Sequence, residues 1–415
     1  MIRHAHTAAE GLCKGDRMKR LVRASLPLLL ALAAGVPAFA QDADWKKLSD
    51  EAASLSRQGQ CDRAIEVANK ALEVAEKAKE PNQANLATTL NLLADLHHAQ
   101  GHYAEAEPLY KRSLAIREKA LGPDQPEVAA SLNSLAALYD SQGRYDQAEP
   151  LYNRALAIRE KALGPDHPDV ATTASNLVAL YLAQGRYADA EPLLKRVLAI
   201  AEKTVGPDHP SITGHLTNLA MLYGRQHQYA QAEPLLKRAL AIREKALGPD
   251  HLDVAQSLCD LATVYLAQRQ YAQAEPLLKR ALAIREKALG PDHLDVGRSL
   301  SNLAMVYVGL HQYTQAELLL KRSLAIVGKA RGEDHPEVAQ GLINLAGLYS
   351  KQGQYDRAEQ LLKRALAIDE KTLGPNHPHV ATVLGNLAAL YKTTNRANEA
   401  DTLEKRAAAI RAIKQ

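Results

Sequence analysis

Tyr103, Tyr145, Tyr187, Tyr229, Tyr271, Tyr313 and Tyr355 follow one another at intervals of 42 residues, and the same interval separates Gly122, Gly164, Gly206, Gly248, Gly290, Gly332 and Gly374. A period of that size is the signature of stacked helical units, each unable to bury its apolar face without a neighbour. It overrides the size prior, by which 415 residues would fold as two or three globular domains. A core of packed rings is also excluded, because aromatics are 4% of the chain, with one Phe and one Trp beside sixteen Tyr. The 47% that is hydrophobic is mostly Ala and Leu, strong helix formers that let helices approach closely. The chain is therefore expected to be all-α, with its function on its surfaces.

One unit shows how the pattern works. From Pro168 to Ala183, apolar residues fall at Val170, Ala174, Leu177, Val178 and Tyr181, the spacing of an amphipathic helix, here called helix A. Gln184, Gly185 and Arg186 interrupt it, with Gly relaxing the backbone at the turn. Helix B is expected from about Tyr187 to Val205, with Pro192 placed near its first turn, where a missing N–H costs little. The segment Gly206-Pro207-Asp208-His209-Pro210 then stops the helix, offers Asp as a cap and starts the next helix at Pro.

Leu132, Leu135, Ala136, Tyr139, Ala148, Tyr152 and Ala155 stand at the spacing of signature positions 4, 7, 8, 11, 20, 24 and 27 of the tetratricopeptide repeat. Phrases such as HPDVA at 167–171, SNLAMVY at 301–307 and GRYDQAEPLYNRALAIREKALG at 143–164 resemble the long variant found in kinesin light chain. The resemblance covers residues 85–415 as eight 42-residue units. Residues 41–84 form a divergent N-terminal helical pair, in which Cys61 replaces the repeated Tyr while Ala64, Ala71 and Leu72 keep register. It implies nine helical pairs in a right-handed α-α superhelical solenoid whose helices A line a concave groove, and it implies binding of a peptide or protein partner there.

At 100° per residue, positions 2, 6, 9 and 13 of helix A fall on a stripe opposite the core positions 4, 7, 8 and 11. Position 6 reads Asn176, Asn218, Asp260, Asn302, Asn344 and Asn386, after Ser134. Asn both donates and accepts, which suits the backbone of an extended peptide, and as a mediocre helix former it is not chosen for helicity. Met221 and Met305 at position 9 add adaptable apolar contacts. Position 2 reads Thr172, Gly214, Gln256, Arg298, Gln340 and Thr382, so Arg298 joins the candidate groove but no paired Lys and Arg recur to clamp a carboxylate.

The other repeated polar residues read as structural. His167, His209, His251, His293, His335 and His377 lie one per unit. Helix layers 8 to 10 Å apart cannot bring such residues to the roughly 2 Å a metal ion needs, so loop capping is expected. Lys-Arg pairs at 195–196, 237–238, 279–280, 321–322 and 363–364 follow Glu191, Glu233, Glu275, Glu317 and Glu359 by four residues, the arrangement of ion pairs on a solvated face. No phosphate loop, zinc-spaced Cys/His set or nucleophile elbow is present, so neither an enzyme nor a cofactor is expected.

The net charge of +4 lies entirely in residues 1–40, leaving 45 basic and 45 acidic residues, which argues against nucleic acid as a partner. From Met18, the expected start, a basic stretch precedes the apolar run Leu26–Ala34 and then Ala38-Phe39-Ala40 before Gln41, the anatomy of a secretory signal peptide. Cleavage after Ala40 would export the chain and leave no membrane span. It would also remove Cys13, leaving Cys61 and Cys259 almost five units apart as unpaired thiols. Two irregularities complete the reading. Gly328 with Arg331-Gly332-Glu333 suggests a hinge near residue 330. The last unit lacks a polar capping helix, so a second copy could pair there.

Overall fold

The computed structural model describes residues 36–78 and 82–412, with side chains from residue 43. Eighteen α-helices are present among them, in nine antiparallel pairs, with no strand. Two compact units divide the chain, residues 1–207 and 208–415.

The first unit holds α1 (Val36–Arg57), α2 (Cys61–Lys77), α3 (Gln83–Ala99), α4 (Tyr103–Leu121), α5 (Pro126–Ser141), α6 (Tyr145–Leu163), α7 (Pro168–Ala183) and α8 (Tyr187–Val205). The second opens with a 3₁₀ turn at Pro210–Ile212, followed by α9 (Thr213–Arg225), α10 (Tyr229–Leu247), α11 (Leu252–Ala267), α12 (Tyr271–Leu289) and α13 (Leu294–Gly309). It continues through α14 (Tyr313–Arg331), α15 (Pro336–Lys351), α16 (Tyr355–Leu373), α17 (Pro378–Thr393) and α18 (Ala397–Ala412). Within each unit a helix packs on its own partner and on the first helix of the next pair, the solenoid arrangement expected from the period.

Small residues set the spacing. Ala106, Ala148, Ala190, Ala232, Ala274, Ala316 and Ala358, at one position of successive B helices, are fully buried. A methyl group there allows close approach, and the flanking Leu and Tyr fill the space beside it. The divergent first pair is tied on by the single Trp, whose Trp45 Nε1 donates to Thr89 Oγ1 on α3 at 2.7 Å.

The turns follow two rules. After α4, α6, α8, α10, α12, α14 and α16 comes a Gly with φ near +90°, such as Gly164 at 88° and Gly206 at 96°, a conformation that L side chains resist. Between A and B, Gly143, Gly185 and Gly353 again have positive φ, but His227, Arg269, His311 and Asn395 adopt φ of 59° to 61° at the same place. There packing imposes the left-handed turn on non-glycine residues, and His227 and His311 rest their Nδ1 atoms 2.9 and 2.8 Å from the hydroxyls of Tyr229 and Tyr313.

Four sequence expectations need correction. Pro192 is the sixth residue of α8, inside the helix rather than in its first turn, as are Pro108, Pro150, Pro234 and Pro276 in their helices. The ring removes a bond to a carbonyl four residues back, which in α8 belongs to the exposed Ala188. The Asp of the loop does not cap. His167, His251, His293, His335 and His377 are the N-caps, each accepting through Nδ1 the backbone N–H two residues on at 3.1 Å, while Asp124, Asp250 and Asp292 pair with Lys161, Lys287 and Lys329 of the following helix B.

The third concerns the cysteines. No bridge joins Cys61 and Cys259, as expected, and Cys259 is a buried free thiol. Cys61, however, expected as an unpaired thiol, is disulfide-bonded. The fourth is the hinge. Helix α14 runs unbroken through Gly328 to Arg331. Glu333 reaches over Gly328, where a Cβ would meet its Oε1 at 2.6 Å, and pairs with Arg364 at 2.6 Å. It thereby replaces the helix glutamate, Glu118, Glu244 or Glu286, that pairs with Arg154, Arg280 or Arg322 at other joints. The irregularity moves an ion pair rather than loosening a joint.

The signal-peptide features before residue 36 lie outside the described residues. Helix α1 begins at Val36, ahead of the expected cleavage point. No helix of the described residues is long and apolar enough to cross a membrane.

Candidate partner-binding groove

The stripe opposite the core is open in both units: Thr172, Gly214, Gln256, Arg298, Gln340 and Thr382 at position 2 are all exposed, as are Ala179, Met221, Thr263, Met305 and Ala389 at position 9. Met221 and Met305 are each 52% exposed, far more than thioethers in a core, so they offer real apolar contact area.

The repeated charges serve the joints instead. Glu107 accepts from Lys111 at 2.7 Å, from Tyr139 Oη on the next pair at 3.0 Å and from Arg144 at 2.8 Å. Glu149, Glu233, Glu317 and Glu359 take the hydroxyls of Tyr181, Tyr265, Tyr349 and Tyr391 in the same way. Donation by Arg144 holds the Glu107 carboxyl at about 2, and donation by Lys363 holds Glu359 at about 2. A second joint element is buried: Arg117, Arg159, Arg243 and Arg285 donate to Ser131, Thr173, Ser257 and Ser299 on the next helix A. The Glu–Lys spacing was legible as ion pairing, but its extension to the next unit's Tyr was not, because it depends on which residues stacking brings together.

In the second unit the groove deepens into a cleft of about 490 Å³. Met305, Asn344 and Asn386 line it together with Val308, Leu320, Ile343, Lys351 and Leu362. Three of the residues expected from the stripe thus meet at one site. Asn218, Met221, Asp260 and Asn302 lie on the same unit outside the lining of this cleft. Asn218 is exposed, whereas Asp260 is half-buried, accepts from Gln256 at 2.8 Å and has its carboxyl pushed up by burial. Arg298 bonds Asp295 at 3.3 Å and Glu337 at 2.8 Å, which engages it in a joint. Ile343 and Val308 were missed because they stand at positions 5 and 12, beside the 2-6-9-13 stripe. Leu320 and Leu362 were missed because they come from the B helices.

The first unit presents a different surface. Asn176 is half-buried and donates to Asn133 on the preceding helix A at 3.0 Å, so its ladder is internal. Where the second unit has Leu320 and Leu362, the first has Tyr110 and Tyr152. Tyr110 Oη donates to Asp95 at 2.6 Å and Asn91 donates to it at 3.0 Å. The protein around Asp95 nonetheless pushes its carboxyl up to about 6, by loss of hydration, while its outer edge stays open to solvent. His98 Nε2 lies 2.9 Å from Ser141 Oγ.

The tetratricopeptide-repeat model matches residues 47–119, 103–161, 127–203, 211–287, 259–329, 301–371 and 337–412. The chain belongs to the tetratricopeptide-repeat family. A Podosopora anserina putative kinesin light chain with nearly identical TPR-like repeats is 32% identical over 50% of this chain and 98% of that one, with a TM-score of 0.45. Apo RapI is 15% identical over 89% and 97% with a TM-score of 0.65, and the apo form of the quorum sensor NprR from B. thuringiensis is 13% identical over 89% and 99% with a TM-score of 0.60. These last two show likeness of fold. No curated protein matches the chain.

As in that family, repeats here build a protein-interaction scaffold. Among the described residues no three His, Cys, Asp or Glu are grouped to hold a metal ion, and all six repeated histidines accept a backbone N–H as helix caps.

Proposed function

We propose that this protein is a non-catalytic scaffold that holds an extended peptide or a segment of a partner protein along the exposed stripe of its A helices. The observation that carries this is the cleft of the second unit, where Met305, Asn344 and Asn386 border an apolar floor made by Val308, Leu320, Ile343 and Leu362. An apolar side chain fits the floor, and the two amides flank it with donors and acceptors for backbone. The repeated ionisable groups act in joints and caps, which leaves no assembled acid, base and nucleophile for a reaction. Arg154, Arg280 and Arg322 are paired with Glu118, Glu244 and Glu286, so the B-helix faces do not offer phosphate a row of open cations. The leader-like features before Gln41 support export, with the partner met outside the cytoplasm.

The test is crosslinking in intact cells, with the mature N-terminus read by mass spectrometry. It compares the native chain with Asn218→Ala/Asn302→Ala/Asn344→Ala and with Met305→Ala/Asn344→Ala/Asn386→Ala. Loss of a specific partner by both variants, with circular dichroism unchanged, is expected. Retention of every partner would overturn the groove reading and leave assembly through the ends or the B-helix faces. A second copy at the C-terminal end has weaker support, because α18 carries Glu404 and Ala408 where α16 carries Leu362 and Leu366. That outer face offers little apolar area for a dimer.

A further inference from the structure

The joint between α16 and α17 reverses the charges of its counterparts. Where Arg117, Arg159, Arg243 and Arg285 meet Ser131, Thr173, Ser257 and Ser299, this joint has Asp369 and Val383. At the start of helix A, where those joints have Glu127, Asp169, Asp253 and Asp295, it has His379. Asp369 is fully buried; its Oδ2 lies 2.5 Å from His379 Nδ1, and its Oδ1 has no hydrogen-bond partner. With Asp369 ionised, Nδ1 holds the proton of this contact in both the neutral and the charged imidazole. The proton that titrates is therefore the one on Nε2.

That nitrogen lies 3.1 Å from Gln340 Oε1 on α15, and Gln340 Nε2 donates to Asn344 Oδ1 at 3.0 Å. Asn344 lines the cleft, so the chain of contacts runs from a buried carboxylate at a joint to the candidate groove. The chain can be filled with protons in two complete ways. With Nε2 protonated, it donates to Gln340 Oε1, the Gln340 amide donates to Asn344 Oδ1, and the Asn344 NH₂ is left to donate into the cleft. With Nε2 bare, it accepts from the Gln340 amide, Gln340 Oε1 accepts from the Asn344 NH₂, and Asn344 Oδ1 is left to accept from the cleft. Each filling satisfies every link, so the second follows from the first by turning two amides over, with no bond lost.

We infer that the protonation state of His379 sets whether Asn344 presents a donor or an acceptor to the groove. Facing His379, helix α16 contributes Asp369, and α15 contributes the neutral Gln340. The N-cap His377 accepts the backbone N–H of His379 at 3.1 Å through its Nδ1. Arg411 of α18 has its guanidinium 3.5 Å from the Ala381 carbonyl, and Lys371 of α16 pairs with Asp334. The switch bears on recognition only if the groove reading above holds, but it is read in the free protein, so either idea can fail without the other.

The experiment is NMR on the full chain with ¹⁵N-labelled His, Asn and Gln, from about pH 5 to 8, the range in which imidazole changes charge. The Asn344 side-chain amide is expected to shift with the same midpoint as the His379 ring nitrogens, while the Asn386 amide, which borders the cleft outside the relay, stays still. In Gln340→Met, at an exposed position whose replacement spares the fold, His379 still titrates and the Asn344 shift is lost. In His379→Gln the shift is also lost. An Asn344 amide that does not follow His379, or one that follows it equally in Gln340→Met, overturns the inference.

Discussion

Arg285 lies 8% exposed between α12 and α13, donating to Ser299 Oγ at 2.7 Å and to Gln256 Oε1 at 2.8 Å. Replacing it with Met keeps the apolar stem and removes both bonds. Hydrogen bonds from a charged donor contribute about 1.5 to 3 kcal/mol each. Against that stands the relief of desolvating a buried cation, which offsets a large part. Neither partner is stranded, since Ser299 Oγ still donates to the Asp295 carbonyl at 3.0 Å and Gln256 is exposed to water. The net cost is then about 2 kcal/mol, about 1 kcal/mol for Ser299→Ala, and about 1 kcal/mol less than the sum for the double variant. The α14–α15 joint already runs with Val327 and Gly341 in these places, which shows that removing both partners is tolerated. Urea unfolding followed by circular dichroism gives the costs. Hydrogen exchange over residues 280–300 localises them, since unfolding of a repeat array need not be two-state. A cost below about 0.5 kcal/mol for Arg285→Met, or costs additive within about 0.3 kcal/mol, would refute the claim that this guanidinium is a joint element.

Three further outcomes rest on the caps and the titrating groups. His251→Ala should cost about 1 kcal/mol and speed hydrogen exchange in the first turn of α11, by removing the acceptor of the Asp253 N–H, while His251→Asn restores protection. For pH, Glu107 and Glu359 sit at about 2, below the usual carboxylate range, so their contribution is complete above roughly pH 4.5 and is lost as pH falls toward 2. Asp95, raised to about 6, works the other way: the folded chain holds its proton longer, so stability falls as pH rises from about 4 to 6. Asp95→Asn should therefore melt higher than the native chain at pH 8 and equally at pH 4; equal melting at both would contradict the raised carboxyl.

The period carried nearly all of the fold, because Leu135, Ala148 and their counterparts 42 residues apart do the same packing in successive repeats and any one repeat predicts the rest. Helices expected at Pro168–Ala183 and about Tyr187–Val205 form with those bounds. What escaped the sequence depends on contacts between units. Glu233 looks like half of an exposed ion pair with Lys237 until stacking brings Tyr265 to it. Arg298 looks like a groove cation until Glu337 of the next pair arrives at 2.8 Å. Asn176 and Asn344 are one residue type at one position, yet the first donates to Asn133 and the second borders a cleft. Periodicity alone cannot tell them apart, because the difference comes from neighbours at positions 5 and 24.

The same contrast indicates where recognition can reside. A residue that makes a joint must recur, since each joint must fit the same next helix; Glu149 with Tyr181 and Glu233 with Tyr265 are interchangeable for that reason. A residue free of the joints is not so bound. At position 5 the chain reads Asn133, Ser175, Thr217, Cys259, Ser301 and Ile343, and at position 12 Asp140, Leu182, Gly224, Leu266, Val308 and Ser350. The two positions run beside the exposed stripe, and Val308 of one repeat meets Ile343 of the next where Leu320 and Leu362 form the floor of the 490 Å³ cleft. The α16–α17 joint, next to that cleft, also departs from the Arg joints, with Asp369 facing His379. Variation in a scaffold whose packing demands sameness has to be tolerated by neighbouring substitutions. Here the reversed charges compensate each other, and the relay through Gln340 connects them to Asn344, so the change at the joint and the change in the groove belong to one site.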